Sequence, residues 1–126
     1  NLISFDIDLP DSAILVALNA ELFSWTLENL VKNGIDAMRG QGTISISMSS
    51  QNKRVLLHIT DSGKGIPKKY FNKIFRPGFT TKKRGWGLGL SLARRIVEDY
   101  HRGKIRVLKS IKDQGSTLEI NLPEVA

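Results

Sequence analysis

Two runs decide the fold: Thr43-Ile44-Ser45-Ile46-Ser47-Met48-Ser49 and Arg54-Val55-Leu56-Leu57-His58-Ile59-Thr60, joined through Gln51-Asn52-Lys53. Ile44, Ile46 and Met48 alternate with hydroxyl side chains, and Val55, Leu57 and Ile59 alternate in the second run. That is the period of a strand with one face turned to a core. Two such runs with a short polar connection predict an antiparallel hairpin, and strands joined by short hairpins make a sheet mixed rather than all parallel.

Upstream, Ala20 to Met38 is rich in good helix formers. Asn19 can cap its start, Gly40 and Gly42 close its end, and Phe23, Leu27, Leu30, Val31 and Ile35 form an apolar face. Ile3 to Asp8 alternates as a half-buried strand, ended by the turn residues Leu9-Pro10-Asp11-Ser12, and Ile14 to Leu18 is a short apolar piece. Downstream, Pro67 to Phe75 is expected to form a short helix begun by the proline, and the basic stretch after Pro77-Gly78 as far as Trp86 to form a mobile loop. Ser91 to Tyr100 predicts a second helix with Leu92, Ile96 and Val97 inward, ended by Gly103. Strands Lys104 to Leu108 and Ser116 to Leu122 follow, linked through Asp113-Gln114-Gly115. The order predicts an α/β (α+β) two-layer sandwich, a mixed, mostly antiparallel sheet packed against helices on one face. With 126 residues and 40% hydrophobic content, residues 1–126 suit a single domain.

No run of about 18 apolar residues suggests a membrane span, and no basic-then-apolar signal pattern opens the chain, so the expectation is a soluble piece with a membrane segment upstream left open. The absence of cysteine rules out disulfides and thiolate metal ligands. The net charge of +7 is concentrated in Lys64, Lys68, Lys69, Lys73, Arg76, Lys82, Lys83 and Arg84, with no acid among them. Such a block points to an anionic partner: a nucleoside triphosphate, a nucleic-acid backbone or an acidic protein surface. A solvated basic loop is the plainer alternative. Nucleic acid is disfavoured, because few aromatics interleave with the cations and the phenylalanines there are better explained as lid and core residues.

Three features carry chemistry. Asn29 and Asn33 stack on one face of the long helix, where asparagine is a poor helix former and Gly34 costs about 1 kcal/mol more than alanine. An amide oxygen can coordinate Mg²⁺, a hard cation that prefers oxygen; a solvent-facing polar stripe is the plainer account. Asp61-Ser62-Gly63-Lys64-Gly65-Ile66-Pro67 follows directly on a strand. A carboxylate there can accept a hydrogen bond from an exocyclic amine, and the glycines let backbone approach a flat ring, unless the motif is only a tight turn. Gly85-Trp86-Gly87-Leu88-Gly89-Leu90 opens the second helix, so its backbone N–H groups converge as an anion site or a hinge. It fits neither the dinucleotide fingerprint nor the P-loop.

Taken together, Leu27 to Met38, Asp61 to Pro67, Ile74 to Lys82 and Gly85 to Leu90 resemble, in that order, the N, G1, F and G2 boxes of sensor histidine kinases, and Gly115 to Ile120 is similar to the family's last strand. Single boxes are weak signals, whereas four in register over nearly the whole chain are specific. The resemblance implies the Bergerat fold shared with gyrase, ATPase chaperones and mismatch-repair ATPases, and a fragment of a larger kinase with residues 67–86 as the ATP lid. It implies that Asn33 ligates Mg²⁺, that Asn29 is its catalytic neighbour near the phosphates, and that Asp61 reads the adenine amino group. Gly63, Gly65 and Ile66 would line the adenine pocket, and Thr80, Thr81 and Lys82 would lie in the lid. Gly85, Gly87 and Gly89 would supply backbone contacts beside Trp86, Leu88 and Leu90, and Thr117 would support the adenine through water. Asp36 stands where many relatives carry a phosphate-contacting lysine, a role Lys32 or Lys82 could take.

The implied function is to bind Mg-ATP and donate its γ-phosphate to a histidine on a separate helical dimerisation domain of the same protein, in two-component signal transduction with a response regulator downstream. The alternative is a catalytically inactive nucleotide-binding scaffold or sensing module. By the same resemblance the domain is cytoplasmic, in a protein compatible with an inner-membrane anchor. Hydrolysing relatives carry a general-base glutamate four residues before the Mg²⁺ asparagine. Here that residue is Asn29, and Glu28 is rotated about 100° around the helix, so slow hydrolysis is expected. Neither His58 nor His101 fits the phosphoacceptor pattern, so the chain alone is not expected to complete phosphotransfer.

Overall fold

The computed structural model describes residues 2–79 and 89–125. A parallel edge strand β1 (Leu2–Asp8) precedes helix α1 (Ala20–Ala37), then come β2 (Gln41–Gln51) and β3 (Arg54–Asp61). Helix α2 (Gly89–Arg95) runs into a π-helical turn (Ile96–Tyr100), and β4 (Lys104–Ile111) and β5 (Gly115–Pro123) complete the chain. The five strands are ordered β1-β2-β3-β5-β4, with β1 parallel to β2 and the other pairs antiparallel. The expected mixed, mostly antiparallel sheet with helices on one face is what forms.

Local chemistry explains most boundaries. Asn19 caps α1 by accepting a hydrogen bond from the Leu22 N–H at 3.0 Å. The helix stops at Met38, after which Arg39 and Gly40 both take positive φ. The β2–β3 turn is a two-residue loop, Asn52 and Lys53, each with positive φ, which matches the twist of the flanking strands.

Strand alternation sorts the sheet into two faces. On the inner face Met48, Leu57, Ile120 and Ile105 stand in one row, and Ile46, Ile59, Leu118 and Val107 in the next. Phe23 and Leu30 of α1, with Val97 from the second helical segment, pack onto these rows. On the outer face Glu119 is clamped between His58, whose Nε2 lies 2.8 Å from Oε2, and Arg106, whose Nε donates to Oε1 at 2.9 Å. Burial pushes the Glu119 carboxyl up, but these two partners outweigh it and hold it below the usual carboxylate range. Its ionised form therefore contributes stability above the ordinary carboxylate value, lost as pH falls through the lower folded value. Glu119→Gln is expected to cost about 1 kcal/mol at neutral pH, a modest figure because solvent screens the exposed Arg106, with the gap to the parent closing below about pH 4. Urea melts of both chains at several pH values measure this.

Four expectations are corrected. Pro67 to Phe75 is not one helix but two 3₁₀ turns, Lys68–Tyr70 and Lys73–Phe75. Nine residues make a marginal helix, and Arg76 is extended because Pro77 follows it. In the second helix Ala93, not Leu92, faces the core, and Leu92 is 40% exposed. The π turn then buries the consecutive Ile96 and Val97. On α1 the buried stripe is Phe23, Thr26, Leu30 and Gly34, with Leu27, Val31 and Ile35 half-buried beside it. In β1, Phe5 and Ile7 are more than half exposed, because this edge strand is paired only with β2 and makes few contacts with the helices.

Candidate functional site

The inner face changes chemistry at one end. The row after Ile46, Ile59, Leu118 and Val107 reads Ile44, Asp61, Ser116 and Ser110, so a carboxylate and two hydroxyls stand where the pattern would continue apolar. Asp61 Oδ1 accepts a hydrogen bond from the Gly63 N–H at 2.8 Å, and the Ser116 N–H also donates to the carboxylate. Burial nonetheless dominates and raises the Asp61 carboxyl above its ordinary value. A carboxylate held at such a cost on a half-buried strand end is suited to an external hydrogen-bond donor.

The helix side of the site explains the misfit residues of α1. A Cβ on Gly34 would lie 2.8 Å from Ile44 Cδ1 and 3.2 Å from Asp61 Cβ, so glycine lets the helix lie directly on β2 and β3 beside the carboxylate. Gly63 is held as tightly, since its Cβ would meet the Ala37 carbonyl oxygen at 2.6 Å. One and two turns before Ala37, Asn33 and Asn29 are half-buried on the flank of the packed stripe. The Asn29 Nδ2 donates to the Trp25 carbonyl at 2.9 Å, while Oδ1 lies 3.1 Å from where a Gly89 Cβ would stand. The amide oxygen thus faces the start of α2, and oxygen is the donor type that a hard divalent cation takes.

The loop after Asp61 is braced from behind. Lys64 N–H donates to Ala37 O at 3.1 Å, Lys64 O accepts from Asp113 N–H at 2.9 Å, and Ile66 N–H donates to Ser110 Oγ at 2.7 Å. Gly65 has φ of 84°, and a Cβ there would meet the Ile111 carbonyl. Where α1 meets the sheet end, the Asp61 carboxylate thus has the glycine backbone of the following loop beside it, and α1 carries the two amide side chains on its flank.

The structure places Asp61, Gly63, Gly65 and Ile66 on this braced loop and Asn29 against Gly89, with Asn33 one turn further along α1. Leu90 is half-buried and packs on the core. Lys32 and Asp36 are exposed on the asparagine-bearing side of α1, and Glu28 is exposed as well. Thr80, Thr81, Lys82, Gly85, Trp86, Gly87 and Leu88, and with them residues 80–86 of the expected lid, lie outside the described residues. Thr117 is a correction: it is on the outer face, its hydroxyl 2.9 Å from Thr60 Oγ1, because strand alternation pairs Asp61 with Ser116 instead. Ser116 and Ser110 were missed from sequence. Ser116 carried a signal, being the first residue of the predicted last strand. Of the histidines, His101 is buried with Nδ1 on Ile96 O and Nε2 accepting from Asn19 N–H, and His58 is held by Glu119.

Comparison with known proteins fits this geometry. Residues 19–126 match the family described as histidine kinase-, DNA gyrase B-, and HSP90-like ATPase. Sensor histidine kinase ZraS of Salmonella typhimurium is 46% identical over 101 residues, covering 79% of this chain and 21% of that protein. Sporulation kinase A of Bacillus subtilis is 38% identical over 96 residues, covering 76% and 16%. The chain thus spans about a fifth of the length of the curated relatives it matches. A crystal form of the catalytic domain of histidine kinase ThkA superposes with a TM-score of 0.86 at 33% identity, over 98% of this chain and 82% of that one. ThkA in complex with the response regulator protein TrrA gives 0.81 at 32% identity, over 98% and 34%. Among the described residues no helix is long and apolar enough to cross a membrane.

Proposed function

The chain belongs to the histidine kinase-, DNA gyrase B-, and HSP90-like ATPase family, and on that footing we propose that it is the ATP-binding catalytic part of a sensor histidine kinase. It binds Mg-ATP where α1 meets the sheet end and offers the γ-phosphate to a histidine on a separate helical dimerisation domain of the same protein, with a response regulator downstream. The observation that carries this reading is the Asp61 carboxylate, set at the end of a core-facing row with glycine backbone beside it and α1 packed against it through Gly34.

Each residue has a task in the proposal. Asp61 accepts from the adenine amino group, and Gly63 and Gly65 let the ring lie against backbone. Asn33 would hold the metal through its amide oxygen, with Asn29 beside it near the phosphates. Magnesium, when bound, neutralises charge on the transferring phosphoryl group. Asn29 cannot take a proton from water, and Glu28 is exposed and rotated about 100° from Asn29 around α1, so the site favours transfer to a positioned acceptor over hydrolysis. His101, buried and hydrogen-bonded through both ring nitrogens, does not serve as that acceptor. The domain would work on the cytoplasmic side of a protein anchored elsewhere.

Calorimetric titration of ADP and ATP, with and without Mg²⁺, tests the proposal. The intact chain should bind both nucleotides saturably, with Mg²⁺ tightening ATP about tenfold, equivalent to about 1.4 kcal/mol. Asn33→Ala should retain metal-free binding and lose that enhancement. No saturable binding in the intact chain would remove the kinase reading.

A further inference from the structure

Sheet geometry around Ser110 is unusual. Val107 pairs with Leu118 and Lys109 with Thr117, so Leu108 is an extra residue, a β-bulge. With regular pairing Lys109 would oppose Ser116 on the inner face. The bulge shifts the alternation by one, leaving Lys109 exposed on the outer face and bringing Ser110 opposite Ser116. There the Ser110 Oγ meets three groups: the Ile66 N–H at 2.7 Å, the Ser116 Oγ at 2.9 Å and the Gly115 carbonyl at 3.2 Å.

We propose that Ser110, delivered by the bulge at Leu108, is a positioning residue of the base pocket: its hydroxyl fastens the loop around Gly65 to the β4–β5 hairpin and orients the Ser116 hydroxyl beside Asp61. This rests on the nucleotide-binding reading above. Ser110 has one proton to give and accepts from Ile66 N–H. If the proton goes to Gly115 O, the Ser116 hydroxyl turns back to donate to Ser110. That arrangement satisfies all three contacts at once; a base that offers an acceptor to Ser116 draws its proton away, and Ser110 then donates to Ser116 Oγ instead. Asp61 and Ser116 are neighbours across the β3–β5 ladder, so the site then offers an acceptor beside a donor. That order complements the edge of adenine, an amine beside a ring nitrogen acceptor, and opposes the carbonyl and N–H of guanine. Ser110 therefore contributes to the preference for adenine without touching the base.

The test compares Ser110→Thr with Ser110→Val, which have the same shape and differ in the hydroxyl. ADP and GDP are titrated into each, with the intact chain and Asp61→Ala as references and thermal melts alongside. The valine variant should bind ADP about tenfold more weakly than the threonine variant, the size expected for one lost buried hydrogen bond, and its preference for ADP over GDP should fall by a similar factor. Should the branched side chains unfold the strand, Ser110→Ala against Ser110→Cys repeats the comparison. Equal affinity and equal base preference with and without the hydroxyl, in a chain whose binding still requires Asp61, would overturn this role alone. Loss of affinity with unchanged base preference would reduce Ser110 to packing and overturn it too. Absence of ADP binding in the intact chain, or binding that survives Asp61→Ala, would overturn the nucleotide reading and this inference with it.

Discussion

Asp61→Asn should raise the dissociation constant for ADP at least about a hundredfold, equivalent to about 3 kcal/mol, while the nucleotide-free chain melts higher than the parent at neutral pH. The first half follows from donor and acceptor matching. An amide can present its NH₂ to the amine of the base, so one charge-assisted hydrogen bond is lost and two donors are opposed. The second half follows from burial, which raises the Asp61 carboxyl despite the N–H groups of Gly63 and Ser116. A group whose folded value is raised contributes its stability at low pH and loses it as pH rises through that folded value. The asparagine variant has no such loss, so its advantage should appear near pH 7 and fade in acid. Calorimetry for binding and thermal melts at about pH 4 and pH 7 give both quantities. Binding equal to the parent would remove Asp61 as the base-reading group, and a lower melting temperature at pH 7 would show that the buried charge is not the cost described.

Gly115→Ala should be among the most destabilising single substitutions in the chain. Gly115 has φ of 122°, and a Cβ there would collide with the Asp61 carbonyl oxygen and stand 2.9 Å from Ser62 Cα, all backbone. No side-chain rotation relieves such a contact, so β5 or the end of β3 must move. Overpacking and a forbidden backbone conformation together cost about 4 kcal/mol, or about 15 °C in melting temperature for a domain of this size. Because the displaced carbonyl belongs to Asp61, nucleotide affinity should fall with stability. Gly78→Ala is the control: it also has positive φ, but nothing lies within 4 Å of its Cβ position. A Gly115→Ala chain as stable as Gly78→Ala would contradict this packing.

What could be read from sequence was what local rules determine. The β2–β3 hairpin, the Asn19 cap and the position of Asp61 at a strand end depend on alternation and on side chains a few residues apart. Gly34 was visible as a misfit in a helix, but its reason lies in Ile44 and Asp61, far along the chain. Thr117 follows from the resemblance alone; that Ser116 shares the face of Asp61 is a matter of strand parity, which needs a reference that only the pairing of Asp61 supplies. The bulge at Leu108 hid Ser110: continuing the alternation of Ile105 and Val107 leads to Lys109. Leu92 was expected inside because a regular period was assumed through a segment that ends in a π turn. The candidate site rests on motif order, a property of the whole chain rather than of any one element.

Strand β5 lies between β3 and β4 in the sheet, although it is the last strand in the sequence. Its Ile120 is fully buried, and the residues that follow it fasten distant parts: Glu124 N–H donates to Lys53 O and Val125 N–H to Leu15 O. On a ribosome, a nascent chain that has reached Ile111 has made four strands but not the one that joins β3 to β4, so β4 has no partner in the sheet and both inner rows are broken. The domain cannot be assembled piecemeal from its N-terminus; the cooperative event waits until roughly the last tenth of these residues has left the exit tunnel.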